Sequence, residues 1–262
     1  MPLKHTAMRN EDQLRRDVAL ANRIIERFGL SNAFGHVSAR IPGTQTFLVP
    51  TRRSPGLAEP DTLLVVDTDG NVTSGEGEPN SEVWIHARIY AARADVGAVV
   101  HAHPPACVCL TQIGQPIRVV HNQGSDFFEG VPEYDQIGLI RTRELGDSLA
   151  GCLGTRSAVM MRGHGITTPS RVLHGATVAA CFLEESADLQ LRMLAASGGD
   201  ANRLRVFTRE EAERVRAQLA GAAIERAWEY YAAVARQRPL GATLSSRQAM
   251  SWRSANETMA TE

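Results

Sequence analysis

Lysine is nearly missing from this 262-residue chain: its 28 basic residues are 27 arginines and the single Lys4. A Schiff base, direct or through pyridoxal phosphate, needs a lysine in a desolvated pocket, and a chain terminus does not supply one. Lysine catalysis is excluded. Cysteine is scarce too, with four residues, and a chain of this length needs more for a disulfide framework. Cys107 and Cys109 stand one residue apart, where metal-binding pairs leave two, so packed thiols are expected. Neither sign of charge dominates: 28 basic against 29 acidic residues give −1, which leaves no broad positive field for a nucleic acid. No run of about 18 apolar residues is present to cross a membrane, and the polar Met1–Asn10 is no secretory signal. These absences predict a soluble, reduced, cytoplasmic protein with neither a nucleic-acid nor a membrane partner.

What is present is an ordinary globular mixture, 43% hydrophobic and 22% charged, long enough for a substantial core. Leu14, Val18, Ala21, Ile25 and Phe28 recur at steps of three and four, which predicts an amphipathic helix over 11–28 stopped by Gly29. Runs with β character follow at 35–41, 46–50 and 62–67, separated by the turn chemistry of Pro42-Gly43 and of Asp67–Asn71. A helix over 81–94, capped by Asn80 or Ser81, precedes a β-branched strand over 96–103. Pro104-Pro105 opens another helix to Gln112. Beyond a loop-rich middle, a helix is expected over 142–152, a strand over 157–162 and two long helices over 170–197 and 208–235. The class is therefore α/β: one layered domain over 11–235 with helices on both faces of a sheet. A polar tail is expected at 1–10 and a loose one at 236–262.

The chemistry concentrates on histidine. His101 and His103 end a strand, where alternate side chains share one side with Cα atoms roughly 6–7 Å apart. Two imidazoles so placed either converge on one divalent ion or form a hydrogen-bonded pair. His164 stands between Gly163 and Gly165 after a second strand, and flanking glycines permit a close backbone approach with the ring exposed. Three imidazoles with one open position make a catalytic metal set. Glu82, in the first turn of the helix before the His101 strand, offers a carboxylate as ligand or general acid/base. The same position also suits a glutamate that only complements the helix dipole.

Pro79-Asn80-Ser81-Glu82, a helix containing His86, the run Ala98–His103 and Arg162-Gly163-His164-Gly165 together resemble the class II aldolase/adducin family over roughly residues 11–235. Gly35–Arg40 and Asp67–Gly70 fall where that family has related segments. The resemblance implies a single three-layer α/β/α domain with a central mixed or antiparallel sheet. It implies a homo-oligomer, usually a tetramer, with active sites at subunit contacts. It further implies that His101, His103 and His164 hold one divalent metal ion, for which Zn, Mn, Fe or Co is suitable, with Glu82 as catalytic acid/base.

Members of the family that act on sugar phosphates hold the phosphate with small residues, and this chain departs from them at three places. His36 stands for an Asn, Arg52 for a Gly, and Asn80-Ser81 for a pair of serines. A guanidinium presents a planar fork suited to carboxylates. The run Gly35-His36-Val37-Ser38 looks like the branch containing decarboxylases of hydroxylated aromatic dicarboxylates, such as dihydroxyphthalate and hydroxypyridine dicarboxylate. The expectation is a metal-dependent decarboxylase, in which a cation stabilises the enolate or phenolate charge as a Lewis acid. Glu82 and His36 are the expected proton carriers. Substrate contacts are expected at Arg52, Ser81, Arg162 and Tyr230, the last across a subunit boundary. Other roles stay open: His36 as a loop cap, Arg52 with Arg53 as a solvated pair, Arg162 in an ion pair between subunits. His86 is expected to orient a neighbour, His174 to be structural, and His121 to line the pocket or pack. A class II aldolase or epimerase is the alternative reaction. A non-catalytic adducin-like interaction domain is the alternative class, and it would have no need of the metal set.

Overall fold

Eight strands make one sheet in the computed structural model, which describes residues 2–219 and 221–237. They are β1 (His36–Arg40), β2 (Thr46–Val49), β3 (Leu64–Asp67), β4 (Val72–Ser74), β5 (Ala98–Ala102), β6 (Glu133–Tyr134), β7 (Val159–Met161) and β8 (Gly165–Ser170). Their order across the sheet is β4-β3-β2-β1-β5-β8-β7-β6. Every pairing is antiparallel except β6 with β7. The sheet is mixed, as expected.

Helices cover both faces because the central strands alternate apolar side chains to both sides. Val37 and Ala39 of β1, with Ala98, Val100 and Ala102 of β5, join α1 (Pro2–Arg27), α3 (Pro105–Gln112), α5 (Leu173–Ala196) and α7 (Ala222–Gln237) in one core. Phe47 and Val49 of β2, with Val99 of β5, pack against α2 (Val83–Ala92) and α4 (Arg143–Leu153) in another. The result is three layers, α/β/α. Among the described residues no helix is long and apolar enough to cross a membrane.

Four differences from the sequence expectation have local causes. The helix α1 starts at Pro2, so residues 2–10 are no tail: proline suits a first turn and no glycine interrupts the run. The strand β8 fills 165–170, where the expectation had only a turn leading to a helix, and that helix begins at Leu173. Pro169 is tolerated in it because β7 pairs with β8 only as far as Thr167, so the missing N–H breaks no ladder on that side. The helix expected over 208–235 is two, α6 (Arg209–Leu219) and α7, with Gly221 at φ +72° between them. Glu82, rather than Asn80 or Ser81, is the N-cap residue of α2. The part of the expected C-terminal tail beyond Gln237 lies outside the described residues.

Candidate metal centre and its cavity

Strand pairing brings the site together on the α2 side of the sheet. His36 of β1 and His101 of β5 are direct partners, so their side chains share a face. His103 follows β5 and is tied down by its N–H to Leu30 O at 2.9 Å. His164 sits in the turn between β7 and β8, with its N–H on Met161 O at 3.0 Å. Both flanking glycines are required there. Gly163 has φ +64°, and a Cβ on Gly165 would lie 2.1 Å from Ala102 O and 3.0 Å from the His103 ring. That close approach delivers His164 to His103, with ring centroids 5.2 Å apart.

Glu82 arrives from the N-terminal end of α2. Its N–H donates to Asn80 Oδ1 at 3.0 Å, and its carboxylate makes no helix-capping bond. Instead Oε1 accepts the Ile140 N–H at 2.8 Å. This turns Oε2 to within 3.8 Å of His101 Nε2 and 3.5 Å of His164 Nε2. Glu82, His101, His103 and His164 each offer a ligand atom, all within 4.8 Å of one another.

These groups fit a cation for reasons internal to the structure. His101 Nδ1 lies 3.0 Å from Ile166 O, so partner counting puts its proton there and leaves a bare lone pair on Nε2. His103 hydrogen-bonds the Phe34 backbone, and its Nε2 lies 3.1 Å from His101 Nε2. Both ring nitrogens of His164 are buried without a hydrogen-bond partner, which a purely structural histidine avoids. Burial, and then the neighbouring rings His103 and His36, push His101 well below the ordinary imidazole range. Burial and then His164 push His103 down as well. Neutral imidazole is the metal-binding form. For Glu82, burial acts to raise the carboxyl pKa, but the His164 ring and the Ile140 N–H outweigh it and hold it below the usual range.

The cluster opens into a cavity of about 500 Å3 lined by Glu82, His103 and His164 together with Phe34, Leu139, Ser81 and Arg52, Arg53 and Arg141. Arg52 and Ser81, expected as substrate contacts, are both in the cavity wall. Arg52 also reaches Glu78 at 3.7 Å across an exposed rim. Arg162 does not line the cavity; its guanidinium is tied to Asp135 of the same chain. Tyr230, 61% exposed, packs edge-on against Phe28, away from the cavity. His36 corrects its expected role as a proton carrier at the substrate: it is 1% exposed and stands behind His101, with Nδ1 bonded to His86. His86 thus orients a neighbour, as expected. His174 stacks on Trp228 and His121 bonds Ser186, both clear of the cavity. Arg141 had no signal in the sequence, since it lies in a loop without periodicity. All four cysteines are free and none joins the ligand cluster. A larger cavity, about 830 Å3, lies at the start of α5 near Arg171 and Glu213 and shares no residue with this one.

Comparison with known proteins follows the same lines. The family of class II aldolase and adducin N-terminal domains matches residues 16–191. The 3,4-dihydroxyphthalate decarboxylase of Arthrobacter keyseri is 33% identical over 214 residues, 75% of this chain and 83% of that protein. The L-fuculose phosphate aldolase of Methanocaldococcus jannaschii is 26% identical over 176 residues, 66% of this chain and 93% of its own. The solved L-fuculose 1-phosphate aldolase from Glaciozyma antarctica PI12 is alike in fold, with a TM-score of 0.75 at 20% identity over 87% of this chain and 90% of that one.

Proposed function

This chain belongs to the class II aldolase and adducin family, and from that premise we propose that it is a metal-dependent decarboxylase of a hydroxylated aromatic dicarboxylate, such as a dihydroxyphthalate or a hydroxypyridine dicarboxylate. One observation carries the reading. The cavity sets unshared imidazoles and Glu82 against three arginines, with Phe34 and Leu139 as apolar walls. His101, His103 and His164 would hold the ion, which when bound supplies Lewis-acid stabilisation of the negative charge left as carbon dioxide departs. The forked guanidinium groups of Arg52, Arg53 and Arg141 match carboxylates, and Ser81 supplies a hydroxyl. A flat ring suits walls of this kind. Glu82, held ionised with Oε1 on the Ile140 N–H, takes the proton of the substrate's ring hydroxyl and returns it to the ring carbon that the carboxylate leaves. Tyr230 belongs to the reading as a residue offered to a second copy in a homo-oligomer.

The identity to the Methanocaldococcus aldolase favours carbon–carbon cleavage of a sugar phosphate as the second reading. It loses ground where the guanidinium of Arg52 stands in place of a small residue at the cavity wall. The deciding experiment loads the purified chain with Zn, Mn, Fe or Co and offers ortho-hydroxy aromatic dicarboxylates and sugar phosphates in parallel. Carbon dioxide from a dicarboxylate is the expected product. Aldehyde from a sugar phosphate, with no carbon dioxide from any dicarboxylate, would replace this reading by the second. Inactivity on both panels together with no stoichiometric metal would point to an adducin-like binding domain.

A further inference from the structure

Behind the ligand set lies a file of polar side chains that the proposed reaction does not use. His36 Nδ1 is 2.5 Å from His86 Nε2, His86 Nδ1 is 2.6 Å from Ser38 Oγ, and Ser38 Oγ is 2.8 Å from Tyr90 Oη. All four residues are at most 1% exposed. His36 Nδ1 and His86 Nε2 face each other at hydrogen-bond distance, so one of the two carries hydrogen and the other offers its lone pair.

Counting partners places every proton. Tyr90 Oη meets the Val99 backbone N–H, which can only donate, and Ser38, so Ser38 is the acceptor open to its O–H, and a buried O–H that donates to nothing is the costly outcome. Tyr90 therefore donates to Ser38, and the Ser38 hydroxyl is left to donate to His86 Nδ1. The His86 proton then sits on Nε2 and is donated to His36 Nδ1, which puts the His36 proton on Nε2. Running the file the other way strands the Tyr90 hydrogen.

We infer that Tyr90, Ser38 and His86 lock His36 in its Nε2–H form, making it a positioning residue: a fixed hydrogen-bond donor beside the ligand His101 and not a fourth imidazole ligand. The two rings are cross-strand partners with centroids 5.1 Å apart, yet His36 is absent from the cluster of ligand atoms. Its Nδ1 lone pair is taken by His86 and its Nε2 carries hydrogen, so no lone pair remains for a cation. The set stays at three imidazoles, with Glu82 beside it and a position left for substrate. That last consequence rests on the proposed metal site; the protonation pattern itself does not.

The test is a long-range 1H–15N spectrum of the histidine rings in the metal-free full chain at neutral pH. His36 and His86 are each expected to show a pyrrole-type Nε2 and a pyridine-type Nδ1. A protonated Nδ1 on either ring overturns the inference. Ser38→Ala should release His36 into a mixture of the two forms and Ser38→Thr should restore the single one; an unchanged His36 in Ser38→Ala overturns the lock. Should Ser38→Ala fail to fold, Tyr90→Phe removes only the O–H that starts the file and carries the same expectation. Because no activity is read, failure of the decarboxylase reading leaves this result standing, and the reverse holds too.

Discussion

On the α1/α5 side of the sheet, buried polar side chains serve the backbone. Asn22 bonds Val18 O and both polar groups of Val37, Gln190 bonds Pro116 O and the Arg118 N–H, and Thr168 bonds Ala176 O. On the α2 side they turn to one another. His36 meets His86, His101 meets His103, and His164 finds no hydrogen-bond partner. Satisfied backbone groups stabilise a fold; lone pairs that face one another, as at His101 and His103, or ring nitrogens that find no partner, as at His164, oppose it. A chain that keeps the second arrangement beside the first keeps it for chemistry.

Substitutions can break that contrast from either side. The largest effect is expected from His103→Ala, which should abolish both bound metal and turnover while circular dichroism and the unfolding midpoint persist. Full turnover with an empty site would rule out the mechanism. Glu82→Gln should keep the metal, measured by elemental analysis, and lower turnover by ~10²–10⁴-fold, the usual contribution of a positioned proton carrier. A rate near that of the unaltered protein would remove Glu82 from the reaction. On the other face, Leu183→Ala empties a fully buried position and should cost about 2–5 kcal/mol in denaturant unfolding, with metal stoichiometry unchanged.

The faces should also differ in their response to acid. His36, His86 and His101 have lowered pKa values in the folded chain, so below their ordinary 6.5 the unfolded state takes up protons that the folded state refuses. Stability is therefore unaffected above pH 6.5 and falls as pH drops from there toward about 3 for His86, by ~1.4 kcal/mol per pH unit for each such ring. Urea midpoints at several pH values measure it, and Leu183→Ala should lower them equally at each pH. The smallest change is expected from the cavity rim. Arg52→Ala should raise KM for a dicarboxylate and leave kcat, whereas Arg162→Ala, whose guanidinium is already tied to Asp135, should alter neither.

Much of the fold was legible because hydrophobic period and turn chemistry act locally. The strand through His101 and the helices either side of it fall within a few residues of expectation. The exceptions, β8 and the break at Gly221, are places where pairing or backbone geometry overrode the local pattern. In the site, strand alternation made the shared side of His101 and His103 readable, whereas the joining of His164 and Glu82 to them rested on the resemblance to the family. Arg141 was not readable, since it reaches the cavity through the loop whose Ile140 N–H holds Glu82. Arg162, expected at the substrate or in an ion pair between subunits, pairs with Asp135 of its own chain, a partner that no local pattern signals.

The amino-acid order by itself determined the element types, the shared side of His101 and His103, and the exclusion of lysine chemistry, for these depend on residues a few positions apart or on composition. Only the tertiary structure decided that Glu82 and His164 meet those two rings, that His36 stands behind them, and that three arginines face the opening. Each of those outcomes is a contact between segments distant along the chain, set by strand pairing and loop closure, and no local pattern encodes such a meeting.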